Sequence, residues 1–174
     1  MHDAILRARA LLQAVTPLEA DCGRACGGCC CRATAQSCGM LLFPGEEQLP
    51  MDTGFIITEA AGGSLLTCTG QCDRTRRPLA CRFFPLFPHL GADGRVRAVY
   101  DPRGWRLCPL LRQRAHVPLR RDFVRAVRRA GRILTEDPAA AAFLRQQSRE
   151  IDELARLLPP GDGRTPIMRR KLHE

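Results

Sequence analysis

Cys22-Gly-Arg-Ala-Cys26-Gly-Gly-Cys29-Cys30-Cys31 holds five of the ten cysteines in this 174-residue chain. Gly27 and Gly28 give a core nothing to pack, and their backbone freedom lets the chain curl tightly enough to bring sulfurs toward one point. A convergent set of thiolates is what a Zn²⁺ ion or an iron–sulfur cluster requires. The stretch therefore reads as a metal-binding loop, and the remaining chain as the means of presenting it. Adjacent side chains in extended chain point to opposite sides. Cys29, Cys30 and Cys31 accordingly do not all reach one metal; one is spare or serves a second site.

Outward from this loop, the pattern predicts a short apolar strand near residue 40. It is followed by a turn at Pro44-Gly45, and Glu46 and Glu47 are read as the solvated first turn of a brief helix. Phe55-Ile-Ile57 and Leu65-Leu66, separated by Gly62-Gly63, read as two short strands. They lead into Cys68-Thr-Gly-Gln-Cys72, a C-x3-C pair that resembles a knuckle offering two sulfurs to one metal. Next come Arg77-Pro-Leu-Ala-Cys81-Arg82 and Phe83, Phe84 and Phe87, read as a hydrophobic wall shielding the sulfurs. Arg77 and Arg82 are candidate cofactor-binding residues because cations favour ionised sulfur. Arg74 and Arg76 read as solvated surface. A hairpin turn is expected at Gly91-Ala-Asp-Gly94 with a strand over 95–100, and Trp105 reads as a packing lid near Cys108. His89 is a candidate substitute for a cysteine ligand.

Aromatic residues make up only 5% of the chain, so the cysteine-rich part needs a staple of disulfides or metal. The N-terminal apolar run is broken by Arg7, Arg9 and Gln13, unlike a secretory signal, and no stretch approaches the ~20 apolar residues of a membrane span. The expected setting is cytoplasmic, where thiols stay reduced and ten cysteines point to metal rather than disulfides. The formal charge is +9, and every basic residue but Lys171 is arginine. Eight thiolates would offset eight of those nine charges.

The residues Cys22-x3-Cys26-x2-Cys29-Cys30, then Cys72, then Arg77-Pro78-x2-Cys81-Arg82-x2-Pro85, resemble the CxxCxxCC cysteine-cluster family, also called YkgJ-type, a zinc- or iron-chelating domain. The resemblance covers roughly residues 20–110. It implies a ligand set of Cys22, Cys26, Cys29, Cys30, Cys68, Cys72, Cys81 and Cys108, with Cys31 and Cys38 additional. Similarity to the cysteine-rich part of flagellin lysine methylases, whose chemistry is linked to an iron–sulfur cluster, favours iron over zinc.

The flanks read as helices. Residues 2–15 form a short amphipathic helix covering the cysteine region. From Pro118, a stripe of Leu119, Phe123, Ala126, Val127, Ala130, Ile133 and Leu134 marks a second helix. Arg121, Arg125, Arg128 and Arg132 share its other face. Asp137-Pro138 caps a third, carrying Phe143, Leu144, Ile151, Leu154 and Leu158. The expected fold is α+β: a small irregular cysteine-rich metal-binding domain with short strands over 1–117, two C-terminal amphipathic helices over 118–160 packed on it, and a basic tail over 161–174.

The first functional reading is a protein chelating an iron–sulfur cluster, or iron, through about eight cysteines. The alternative is a structural zinc domain acting as an interaction scaffold for an unidentified protein partner. Nucleic acid through the basic helix is the weaker option, since no aromatics are interleaved for base stacking and no DNA-binding motif is present. A third reading is cluster-dependent methyl transfer or redox catalysis, for which the sequence offers no catalytic residues. Cys22-x3-Cys26-x2-Cys29 has the radical-SAM spacing, but 174 residues fall short of the ~250 of a full barrel.

Overall fold

Apolar residues at helical spacing along the two C-terminal segments dictate where the core forms. The computed structural model describes residues 2–31, 39–68, 70, 72–112 and 117–157. Helix α1 spans His2–Leu11 and the short α2 spans Cys22–Cys26. Strands β1 (Met40–Leu41), β2 (Phe55–Ala60) and β3 (Gly63–Cys68) form an antiparallel sheet in the order β1-β3-β2. Helix α3 (Leu79–Phe83) precedes an antiparallel hairpin of β4 (Leu86–Leu90) and β5 (Val96–Tyr100). Three helices follow: the short α4 (Pro109–Arg112) and the long α5 (Arg121–Leu134) and α6 (Pro138–Leu157). The α+β class and the two C-terminal helices are as expected.

Helix α5 buries Phe123, Val127, Ala130 and Leu134 against α1 and the β4–β5 hairpin. Its approach to the hairpin is close enough that a Cβ on Gly131 would lie 2.6 Å from Pro88 Cβ and 2.7 Å from Val96 Cγ1. Helix α6 starts at an Asp137 cap, whose carboxylate accepts from the Ala140 amide at 2.9 Å. It closes the other side with Phe143, Leu144 and Ile151. Two buried polar residues on α6 are both satisfied: Ser148 Oγ accepts from the Leu90 amide at 2.9 Å, and Gln147 accepts from Arg103.

Two expectations change at this level. The core is continuous from Ile5 and Phe43 through Leu79 to Leu144 and Ile151, so α5 and α6 supply much of it rather than merely lying on a cysteine domain. Strand β4 is buried along its whole length, because it runs between the paired β5 and the faces of α5 and α6. Phe83 and Phe87 consequently belong to the core. Helix α1 is shorter than 2–15 and lies mainly on α5. Leu158, Cys38 and the tail over 161–174 lie outside the described residues.

Candidate metal centre

All nine described cysteines are free thiols, and they arrive from four separate parts of the chain: 22–31, 68–72, 81 and 108. Each part is held by polar contacts. Asp21 caps α2, accepting from the Gly23 amide at 3.1 Å, and its carboxylate lies 3.7 Å from Arg74. Gly27 and Gly28 take positive φ (63° and 72°), and the Cys31 amide closes a turn on the Gly28 carbonyl at 2.7 Å. The second part leaves β3 at Cys68, opposite Phe55. Asp52 fixes the continuation, accepting from the amides of Gly54 (3.1 Å) and Asp73 (2.8 Å). Gly70, at φ 92°, lies so close to the first loop that a Cβ on it would sit 3.0 Å from the Cys31 carbonyl oxygen.

The third part is α3, and its anchor was not foreseen. Glu46 is fully buried rather than solvated. Its carboxylate accepts from the Leu79 amide at 2.8 Å and lies 3.4 Å from both Arg9 and the Phe43 amide. Pro78 contributes no side-chain cap to α3, so Glu46 satisfies the exposed end of the helix in its place. Burial raises the Glu46 pKa to about 7 against the pull of these donors and of nearby Arg82. No apolar periodicity marks this role, since two adjacent glutamates after a Pro-Gly turn look the same whether solvated or buried.

The two candidate arginines separate. Arg77 Nε donates to Cys72 Sγ at 3.2 Å. Arg82 is turned away from sulfur: its guanidinium donates to the Arg77 carbonyl (2.7 Å), Gln13 Oε1 (2.7 Å) and the Thr75 carbonyl (2.6 Å). It is a strut tying α3 to the 74–77 turn and to the end of the α1 segment. His89 is likewise engaged elsewhere, with Nε2 2.8 Å from Asp152 of α6. Trp105 lines a groove with Arg103, Arg106, Leu154 and Leu157. Of the three phenylalanines read as a wall, Phe84 does line the cysteine region; the Phe84–Pro85 peptide there is cis.

A cavity of about 370 Å³ is lined by Cys22, Cys26, Cys30 and Cys108, together with Leu18, Phe84, Pro85 and other apolar groups. Cys30 Sγ lies 3.8 Å from Cys31 Sγ, and Cys29 Sγ lies 2.9 Å from the Cys26 carbonyl oxygen. Burial pushes the Cys22 thiol up to about 11, aided by the Asp21 charge and by Cys26 and Cys108. The Cys81 thiol is raised by burial first and then by Cys31, Cys68 and Cys72. Cys72 is raised by burial and held back by Arg77. Cys31 is lowered, first by its hydrogen bond with Cys30, against burial and with help from Arg77.

Thiols of this number suit zinc or an iron–sulfur cluster in donor type. Their spacing is looser than coordination demands: among the described residues, no three His, Cys, Asp or Glu side chains form a group able to hold an ion. No protein-family model, curated protein or solved structure matches this chain. Among the described residues no helix is long and apolar enough to cross a membrane.

Proposed function

We propose that this protein binds metal through about eight cysteines, holding an iron–sulfur cluster or iron, as its resemblance to the CxxCxxCC family implies. The carrying observation is that four free thiols, Cys22, Cys26, Cys30 and Cys108, line one cavity, while Cys81 lies near enough to Cys31, Cys68 and Cys72 for them to raise its pKa. Such clustering is unfavourable for bare thiols, because each ionised sulfur raises the pKa of the next; a cation reverses that repulsion and offsets the burial of the set. The candidate ligands are Cys22, Cys26, Cys29, Cys30, Cys68, Cys72, Cys81 and Cys108. Arg77 supplies a charge-assisted hydrogen bond to one of the sulfurs. A bound cluster would supply electron transfer or Lewis-acid chemistry; the chain's part is to anchor α3 through Glu46 and keep an apolar wall of Phe84 and Pro85 on one side. The proposed setting is cytoplasmic.

Zinc is the second reading, with the domain as an interaction scaffold. It is favoured by the exposed arginines Arg121, Arg125, Arg129 and Arg132 on α5, a face suited to an acidic partner. The test is anaerobic purification with iron, zinc and sulfide analysis and a visible spectrum of the same sample. Iron with matching sulfide and a brown colour supports the first reading. Colourless protein with stoichiometric zinc supports the second. Metal-free protein that takes up neither ion refutes both.

A further inference from the structure

Cys30 and Cys31 are neighbours in space as well as in sequence. Their sulfurs lie 3.8 Å apart, in contact with each other. A bond between two sulfurs needs about 2.0 Å, so closure asks only for a further approach of two side chains, not of distant segments. The backbone on either side is held. The Cys31 amide donates to the Gly28 carbonyl at 2.7 Å, a turn entered through the positive φ of Gly27 and Gly28. Gly70 comes so near that a Cβ on it would sit 3.0 Å from the Cys31 carbonyl oxygen. Both cysteines are half-buried, so neither is shut away from a small reagent. Their surroundings differ: Cys30 lines the cavity beside Phe84 and Pro85, whereas Cys31 is not one of its lining residues. The third sulfur of the run, on Cys29, is turned onto the Cys26 carbonyl oxygen at 2.9 Å.

We propose that Cys30 and Cys31 are a vicinal dithiol that a low-molecular-weight disulfide reversibly oxidises to a Cys30–Cys31 disulfide. Cys31, outside the cavity, attacks one sulfur of the small disulfide. That S–S bond breaks, one small thiolate leaves, and Cys31 carries the other half as a mixed disulfide. Cys30 then attacks the Cys31 sulfur and expels the second small thiolate. The protein gives up two electrons and its two thiol protons; the small disulfide takes both and becomes two thiols. The protein's new ring is tight. A trans peptide joins the residues, which fixes their Cα atoms about 3.8 Å apart, below the ~4.4–6.8 Å usual for disulfides. Strained disulfides are the easily reduced ones, so a monothiol opens the bond again. One consequence rests on the metal-binding reading above: oxidation withdraws Cys30 from the four thiols lining the cavity, so oxidised protein takes up less metal than reduced protein.

The test exposes reduced, chelator-treated full-length protein to oxidised glutathione, quenches with an alkylating reagent and maps the thiols by tandem mass spectrometry. Cys30 and Cys31 should lose their labels together, in a peptide two hydrogens lighter and free of glutathione, and Cys29→Ser should behave as wild type. Cys30→Ser should stop at glutathione held on Cys31. Added monothiol should restore both labels in wild type. Cys30 and Cys31 that both stay alkylatable, or either of them bonded instead to Cys26, Cys29 or another cysteine, overturns the proposal; a bond that monothiol does not open overturns its reversibility. The decisive map is made on wild type, so a variant that fails to fold does not affect it. Metal uptake is then compared before and after oxidation. Reduced wild type that binds neither iron nor zinc refutes the function proposed above and leaves the dithiol map standing, whereas equal uptake by both forms refutes only the link between oxidation and metal.

Discussion

Arg77 and Glu46 show how single charges shape the cysteine region. Arg77 Nε points at Cys72 Sγ from 3.2 Å, the position of a partner that would orient this sulfur as a ligand in the proposed site without touching metal. Replacing such partners typically weakens metal affinity about 10–100-fold. Arg77→Met should therefore lose metal to a competing chelator that leaves the wild type loaded, while the exposed Arg106→Gln should match wild type; equal retention by Arg77→Met would remove Arg77 from the site. Glu46 acts through α3. Its pKa is raised by burial from 4.5 to about 7, so the folded protein holds this proton more tightly than the unfolded chain. The stability tied to that proton is fully present below about pH 4.5 and is lost as pH rises through about 7. At 1.36 kcal/mol per tenfold change the whole interval amounts to about 3 kcal/mol. Glu46→Gln keeps an acceptor for the Leu79 amide but does not titrate. Denaturation of both proteins between pH 5 and 8 should show the variant gaining on wild type with rising pH; a constant difference would mean that Glu46 ionises normally.

Among the elements, α5 is where packing overrules propensity. Glycine within a helix costs up to about 1 kcal/mol relative to alanine, yet Gly131 sits in the last turn of α5 against Pro88 and Val96. The atoms it faces are a ring Cβ and a branched methyl, neither the loose end of a flexible side chain. Gly131→Ala should gain its propensity and lose more to overpacking, which typically costs 1–3 kcal/mol, for a net destabilisation of about 1 kcal/mol by chemical denaturation; a stabilised variant would show that α5 can slide off the hairpin. The same contrast explains what could be read beforehand. The amphipathic stripe of α5, the Asp137 cap and the β2–β3 hairpin rest on local periodicity and local hydrogen bonds, and all were legible. Strand β4 was not, because Leu86-Phe-Pro-His-Leu90 is buried on every side and so has no alternation. The solvated reading of Glu46 and the sulfur-facing reading of Arg82 failed for a related reason: Glu46 is bound by the Leu79 amide, 33 residues away, and Arg82 by Gln13, 69 residues away, together with the Arg77 and Thr75 carbonyls, which no side-chain pattern marks.

In the whole molecule, the apolar core and the sulfurs occupy different ground. The core residues Ile5, Phe43, Phe123, Val127, Leu134, Leu144 and Ile151 are nearly inaccessible to solvent and belong to α1, α5, α6 and the residues between β1 and the 46–48 turn. Except for Cys108, the described cysteines are only half-buried and sit on short pieces: the five-residue α2, a glycine turn, the end of β3 with the loop leaving it, and the five-residue α3. Isolated segments of that length are unstable in water, so their order depends on tertiary contacts: the hydrogen bonds of Asp21, Asp52 and Arg74 and, in the proposed metal-loaded protein, the metal. The cysteines could be listed from sequence because residue identity is local; the 3.8 Å approach of the Cys30 and Cys31 sulfurs could not, because it depends on the turn geometry of Gly27 and Gly28. Metal removal should accordingly split the molecule. Hydrogen exchange of chelator-treated protein should show fast amides over 22–31 and 68–77 while α5 and α6 stay protected, since unfolding there would expose the core. Uniform loss of protection would mean that metal and core form one cooperative unit. Unchanged protection at 22–31 and 68–77 would mean that these loops are ordered by their hydrogen bonds alone, with Asp21, Asp52 and Arg74 sufficing without metal.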